Sequence, residues 1–188
     1  MSDKTIIKNR GTGAGGSNTN KNGLLFEKNT DLDNQITHIT NQIGGLNINY
    51  HIKMQFENND KTLIKTTKLF KYMENYIDKN INGAHGCKKP DECYIDENAK
   101  TIFIIEKKFQ QCSGSVCEKI QTVDFKLWQY NRIFKNEYKI VYIYCLSDWF
   151  KKNCKAEIEY LQKMEIPLFW GNDKNYKNDL IKFIVNYK

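Results

Sequence analysis

Residues 101–108, Thr-Ile-Phe-Ile-Ile-Glu-Lys-Lys, constrain this chain more than any other stretch. The apolar run from Ile102 to Ile105 has no polar face, so it reads as a strand buried on both sides in the interior of a sheet. Side chains alternate along a strand, so Glu106 and Lys108 share a face with Ile102 and Ile104, while Phe103 and Ile105 point the other way. The charged end therefore lies at the rim of a buried sheet, where Glu and Lys are costly unless they find partners. Upstream, Pro90-Asp91-Glu92-Cys93-Tyr94-Ile95 reads as a second short strand, and Glu97 to Lys100 supplies a polar turn. Antiparallel pairing about that turn brings Asp91 opposite Glu106. Asp96 and Glu97 flank the turn.

Around this hairpin the pattern is that of an α/β domain. Residues 1–23 are polar and rich in Gly and Asn and read as a flexible arm, leaving 24–188 as a single domain. The Gly11-x-Gly13-x-x-Gly16 spacing in the arm matches a dinucleotide fingerprint, but no buried strand precedes it and no apolar helix follows. Such glycines suit a loop lying against a phosphate backbone. A helix is expected over 24–43 and an alternating strand over 46–57, followed by a turn at Asn58-Asn59-Asp60. Residues 61–78 read as a helix, or a strand and a helix. A helix is expected over 114–136, a buried strand over 138–146, a helix over 153–164, a short strand over 166–170 and a closing helix over 175–187. Trp128, Trp149 and Trp170 fall in apolar patterns and are expected in the core. The order implies a mixed central β-sheet flanked by helices.

Two carboxylates at one point repel each other and take up a hard divalent cation such as Mg2+ through oxygen. Asp91 and Glu106 are the candidate metal ligands, and Lys108 is placed to orient water or offset negative charge on a phosphate. The alternative is a surface hairpin with solvated charges.

Pro90-Asp91 followed by Glu106-Lys107-Lys108 after a strand resembles the PD-(D/E)xK nuclease superfamily. The likeness widens: Gly13-AGGSNTNKNGLLF-Glu27 and Glu106-KKFQQCSGSVCEKIQ-Thr122 are similar to stretches of small type II restriction endonucleases of bacteria and large DNA viruses. It runs from about Arg10 to about Tyr130. The resemblance implies a restriction-endonuclease-like core, Mg2+ on Asp91 and Glu106, and a lysine, Lys108, that assists the attacking water. It adds Glu27 as the acid of the first helix, whose alternative is a solvated helix charge. Gln110, on the same strand face as Lys108, either contacts substrate or metal-bound water or simply finishes the strand. Lys119 and Gln121 are similar to polar helix residues that support the site in several branches. Phe125 departs from the Gln-x-x-x-Tyr pattern of the repair branch. Arg10, Asn20, Lys21, Lys88, Lys89 and Lys119 are the candidate DNA contacts; for the arm residues the alternative is an ordinary polar tail.

Net charge is +7 and the pI is about 9.0, which favours a polyanionic partner, although Lys-, Asn- and Ile-rich coding yields a similar surplus. No apolar run approaches bilayer length and the N-terminus lacks a secretory apolar stretch, so the expectation is a cytoplasmic protein without membrane contact. The six cysteines are then expected as free thiols. A zinc set from Cys87, Cys93, Cys112 and Cys117 has gaps unlike those of zinc knuckles. The function expected is a Mg2+-dependent endonuclease that cuts double-stranded DNA at a short specific sequence. It would act as a homodimer and beside a protecting DNA methyltransferase. The rivals are a structure-selective repair or junction-resolving nuclease of the same fold, and a non-catalytic nucleic-acid-binding protein.

Overall fold

The computed structural model describes residues 17–40, 49–66, 68–76, 89–112, 116–134 and 137–188. The hairpin is present as β4 (Glu92–Asp96) and β5 (Thr101–Lys108). Asp96 builds its turn: Oδ1 accepts the backbone N–H groups of Asn98 at 3.1 Å and Ala99 at 2.9 Å. The short Asp side chain substitutes here for a backbone acceptor. Lys100 closes the turn at φ 48°. The pairing then places Asp96 opposite Thr101 and Glu92 opposite Ile105. One step further, Asp91 stands beside Glu106.

These two strands belong to a seven-stranded sheet whose spatial order is the chain order. β1 (Thr37–Thr40), β2 (Asn49–Phe56), β3 (Asn59–Thr66), β4 and β5 run antiparallel in succession. β6 (Lys139–Leu146) and β7 (Leu168–Trp170) then add in parallel to β5. Parallel neighbours need long crossovers. α3 (Val116–Ile120) and α4 (Val123–Ile133) make the first, and α5 (Trp149–Asn153) and α6 (Lys155–Lys163) the second.

The sheet is covered on both sides, as its apolar strands require. One face, carrying Cys93, Ile95, Ile102, Ile104, Tyr142 and Tyr144, packs on α2 (Leu69–Tyr76) and on α3 to α6. The opposite face, with Tyr94, Phe103, Ile105 and Ile143, packs on α1 (Ser17–Asn29) and α7 (Tyr176–Asn186). The molecule is thus an α/β protein with a mixed sheet flanked by helices. Among the described residues no helix is long and apolar enough to cross a membrane.

Several boundaries differ from the expectation. α1 begins at Ser17, so residues 17–23, read as part of the arm, are helical. It also stops early. The Thr30 hydroxyl donates to the Phe26 carbonyl at 2.8 Å, and Asp31 Oδ1 accepts the Asp33 N–H at 2.8 Å. Such local side-chain bonds compete with helix continuation. A 3-10 turn (Asp33–Gln35) and β1 take the place of the second half of the expected helix. The helix expected over 114–136 is two, α3 and α4, interrupted at Gln121-Thr122. Trp128 is not core: it is 53% exposed and stacks on exposed Phe125, with 5.7 Å between ring centroids. Trp149 and Trp170 are partly buried against the core.

The cysteines also depart from the expectation. Cys117 and Cys154 form a disulfide that ties α3 to the start of α6. Cys93, Cys112 and Cys145 are free. With Cys93 sealed in the core and Cys117 bonded, the zinc set has no geometry among the described residues; Cys87 lies outside them.

Candidate active site

The site forms where β5 emerges from the core. Asp91, just ahead of β4, turns its carboxylate onto the end of β5, where Oδ2 accepts the backbone N–H of Lys107 at 2.7 Å. Glu106 and Lys108 project from β5 on the same side. The Lys108 ammonium lies 2.5 Å from Glu106 Oε1, 3.7 Å from Asp91 Oδ2 and 3.2 Å from the Lys107 carbonyl oxygen. A cation is therefore already held by three oxygens, two of them from carboxylates. This is the donor chemistry of a hard divalent ion, and a divalent ion taking that place would send the flexible lysine outward. Asp91 and Glu106 are the residues of this cluster that could hold such an ion.

Burial and charge set the protonation of the cluster. Burial pushes the Glu106 carboxyl up, but the ammonium groups of Lys108 and Lys126 outweigh it and hold Glu106 below the usual carboxylate range. Asp91 goes the other way. Burial raises it, Lys108 pulls it down, the Glu106 carboxylate pushes it up again, and it ends above its ordinary value. Glu27, half-buried on α1, is raised first by burial and then by the Asp91 carboxylate. Two acids raised chiefly by burial, each pushed further by a neighbouring carboxylate, thus stand beside a third held low by two ammonium groups.

Asp91, Glu106, Lys108 and Glu27 are thus brought together. Gln110 is not aimed at them: its amide nitrogen donates to the Cys112 carbonyl at 2.6 Å and its backbone N–H to the Ser147 hydroxyl at 3.1 Å. It lies just past β5, which ends at Lys108. Lys89 is exposed immediately before Pro90, Lys21 is exposed on α1 and Lys119 is exposed on α3. Asn20 lies in α1, with its side chain outside the described set. Arg10, Lys88 and the glycines at 11–16 fall outside the described residues.

Two members were not foreseen. Lys126 reaches from α4 to Glu106 Oε1 at 3.2 Å and sits over the rings of Tyr142 and Tyr144, 5.6 Å and 5.8 Å from their centroids. Its signal was a charge on the inward stripe of Val123, Leu127 and Tyr130. Lys107 lies on the opposite face of β5, where its ammonium pairs with Glu92 at 2.8 Å with both side chains almost wholly buried. The strand alternation that assigns Glu106 and Lys108 to one face assigns Lys107 to the other.

Among the described residues, one trio of ligand-type side chains has all its donor atoms within 4.8 Å of one another: Cys117, Cys154 and Glu157. Two of the three are spent in the disulfide. Glu27, Asp91 and Glu106 are set wider, with the Lys108 ammonium between Asp91 and Glu106. No protein-family model matches this chain, and neither does any curated protein or solved structure.

Proposed function

We propose that this chain is a Mg2+-dependent type II restriction endonuclease of the PD-(D/E)xK class, hydrolysing phosphodiester bonds of double-stranded DNA at a short specific sequence. The observation that carries the reading is the Lys108 ammonium cradled by Asp91, Glu106 and the Lys107 carbonyl at the end of a buried strand. Asp91 and Glu106 would hold the ion. When bound, Mg2+ would polarise the scissile phosphate and acidify a water molecule. Lys108, anchored at the end of β5 beside both acids, would orient the attacking water and offset the charge that develops on the phosphate. Lys126 keeps Glu106 ionised and ready to bind a cation. Glu27, raised in pKa beside Asp91, is the group best suited to hold a proton near the reacting oxygens.

The positive surplus of the chain supports a polyanionic substrate. Cutting both strands of a palindromic site fits a homodimer, whose two-fold axis matches that of the DNA. A cytoplasmic enzyme of this kind would need a DNA methyltransferase to protect the host's own sites. The test is digestion of phage and plasmid DNA by the purified protein with Mg2+. A fixed fragment pattern is expected, abolished by EDTA and by Asp91→Ala, Glu106→Ala or Lys108→Ala with DNA binding retained. Cleavage by all three variants would sink the assignment. Binding without cleavage would indicate a non-catalytic protein, and cleavage confined to branched DNA a junction-resolving one.

A further inference from the structure

We infer that Lys107, the middle residue of Glu106-Lys107-Lys108, is the positioning residue of the site, acting through a buried ion pair with Glu92 on the far side of the sheet. The inference rests on the proposed nuclease reading for what the site does, but its geometry stands independently. Three groups of Lys107 each hold a different member. Its backbone N–H donates to Asp91 Oδ2 at 2.7 Å. Its carbonyl accepts the Lys108 ammonium at 3.2 Å. Its ammonium donates to the Glu27 backbone carbonyl at 3.1 Å, across the gap between β5 and α1. The residue that links the two catalytic positions of the strand thus also fixes the helix that supplies the third acid.

Glu92 holds that ammonium in place. Its Oε2 lies 2.8 Å from Lys107 Nζ, and the two side chains are 1% and 2% exposed. Its other oxygen accepts the Leu32 N–H at 3.3 Å and the Tyr94 hydroxyl, and Lys65 Nζ approaches it at 3.6 Å. Lys65 in turn pairs with Asp31 at 3.2 Å and with Asp33. The chain of charges runs from the strand end to the segment that follows α1. Every contact lies on the sheet face opposite Glu106 and Lys108, so none of these side chains competes for the ion or for DNA. Charged groups so deeply buried are hard to justify by stability alone, because an apolar pair of similar volume is often as stable. What an apolar pair lacks is a donor that ties the Glu27 carbonyl to β5; the other donor to that carbonyl, the Thr30 hydroxyl at 3.2 Å, belongs to the segment that ends α1 and makes no such link.

The test compares the wild type with Lys107→Met and with the double variant Lys107→Met, Glu92→Gln. The single variant leaves Glu92 short of a partner and is expected to lose thermal stability. The double variant removes both charges, while glutamine retains an acceptor for Leu32 and Tyr94, and its Tm is expected to return toward the wild-type value. Its single-turnover cleavage rate is expected to stay down about 100-fold with DNA affinity unchanged, the loss that misplacement by about 1 Å produces. Amide hydrogen exchange in α1 without metal is expected to speed up in the double variant. A double variant that regains Tm and also cuts like the wild type, or whose α1 amides exchange as in the wild type, overturns the inference. If the wild type cuts no DNA, the nuclease reading fails alone. Lys107 is then judged by α1 exchange and by Mn2+ binding in calorimetry: weaker binding in the double variant supports its role, and equal binding, or none to either protein, overturns it.

Discussion

The carboxylate of Asp91 accepts the backbone N–H of Lys107 at 2.7 Å, which locks an acid outside the sheet onto the last turn of the pleat in β5. This one bond fixes how far Asp91 lies from Glu106 and Lys108. It leaves the Asp91 charge facing Glu106, and the cost of that proximity is visible in a carboxyl held above its ordinary pKa by burial, with Glu106 adding to the effect against the pull of Lys108.

Stability should register that cost. An acid whose pKa is higher in the folded state is folded more easily when protonated, so its penalty is absent at low pH and develops as pH rises from the ordinary carboxylate range through the folded value. In EDTA at neutral pH, Asp91→Asn should therefore raise Tm, because asparagine still offers an oxygen to the Lys107 N–H. The gain should shrink as pH falls toward 4, roughly the ordinary aspartate value. Differential scanning calorimetry across pH decides this; a variant less stable than wild type at neutral pH would mean that the Lys108 ion pair outweighs the crowding.

Lys126 gives a second expectation. Its ammonium is one of two that hold Glu106 ionised in a pocket walled by Tyr142 and Tyr144. A hydrogen bond to a charged group contributes about 1.5–3 kcal/mol. Lys126→Met should slow cleavage by roughly tenfold or more. It should also move the titration of the Glu106 carboxyl itself upward, read by carboxyl NMR without metal, since Glu106 then ionises less readily. A rate loss with an unshifted Glu106 titration would place Lys126 on substrate and not on Glu106.

The hairpin was legible because its signals are local. Alternation assigned Glu106 and Lys108 to one face, and the turn chemistry of Asp96 set the register that brought Asp91 alongside. Lys107 and Lys126 were hidden for a different reason: each is charged in a run that reads as core, and only the sheet's second face and the packing of α4 provide their partners. β1 was lost because Ile36 and Ile39 also suit a helix, and Asp31 and Thr30 end α1 by bonds that hydrophobic spacing does not register. Trp128 misled because it falls in an apolar pattern with Leu127 and Tyr130 yet occupies the outer side of α4. The Cys117–Cys154 pairing joins residues 37 positions apart, one in each crossover with α4, β6 and α5 between them, which no spacing rule contains.

That disulfide should be measurable. It closes a loop of 37 residues, and cross-links of this span stabilise by about 3–4 kcal/mol through the unfolded chain. For a protein of this size, dithiothreitol should lower Tm by roughly 10 °C. Cys117→Ser should lower it similarly and abolish the response to reductant. A wild-type Tm insensitive to dithiothreitol, with all six cysteines titrating as thiols in denaturant without reductant, would show that the bridge does not form.

Gly171 tests how α1 is held against the sheet. It follows β7 and donates its N–H to the Leu146 carbonyl at 2.9 Å. A Cβ there would fall 2.4 Å from Phe26 Cζ and 2.7 Å from Thr30 Cγ2, inside the contact distance of both. Phe26 lies in the last turn of α1, beside Glu27, and Thr30 directly follows the helix; Phe26 is buried against Phe109 with 5.5 Å between ring centroids. At that distance something must shift, and with the ring buried Gly171→Ala should push the helix outward, at a cost of about 1–3 kcal/mol for overpacking. The displacement would carry Glu27 away from Asp91. Cleavage should fall further than stability explains, and a second substitution, Phe26→Leu, should restore part of both by making room for the methyl group. Urea denaturation and single-turnover cleavage on the same three proteins measure the two effects side by side. Recovery of stability without any recovery of rate would show that α1 reaches the site by some route other than its seat on Gly171.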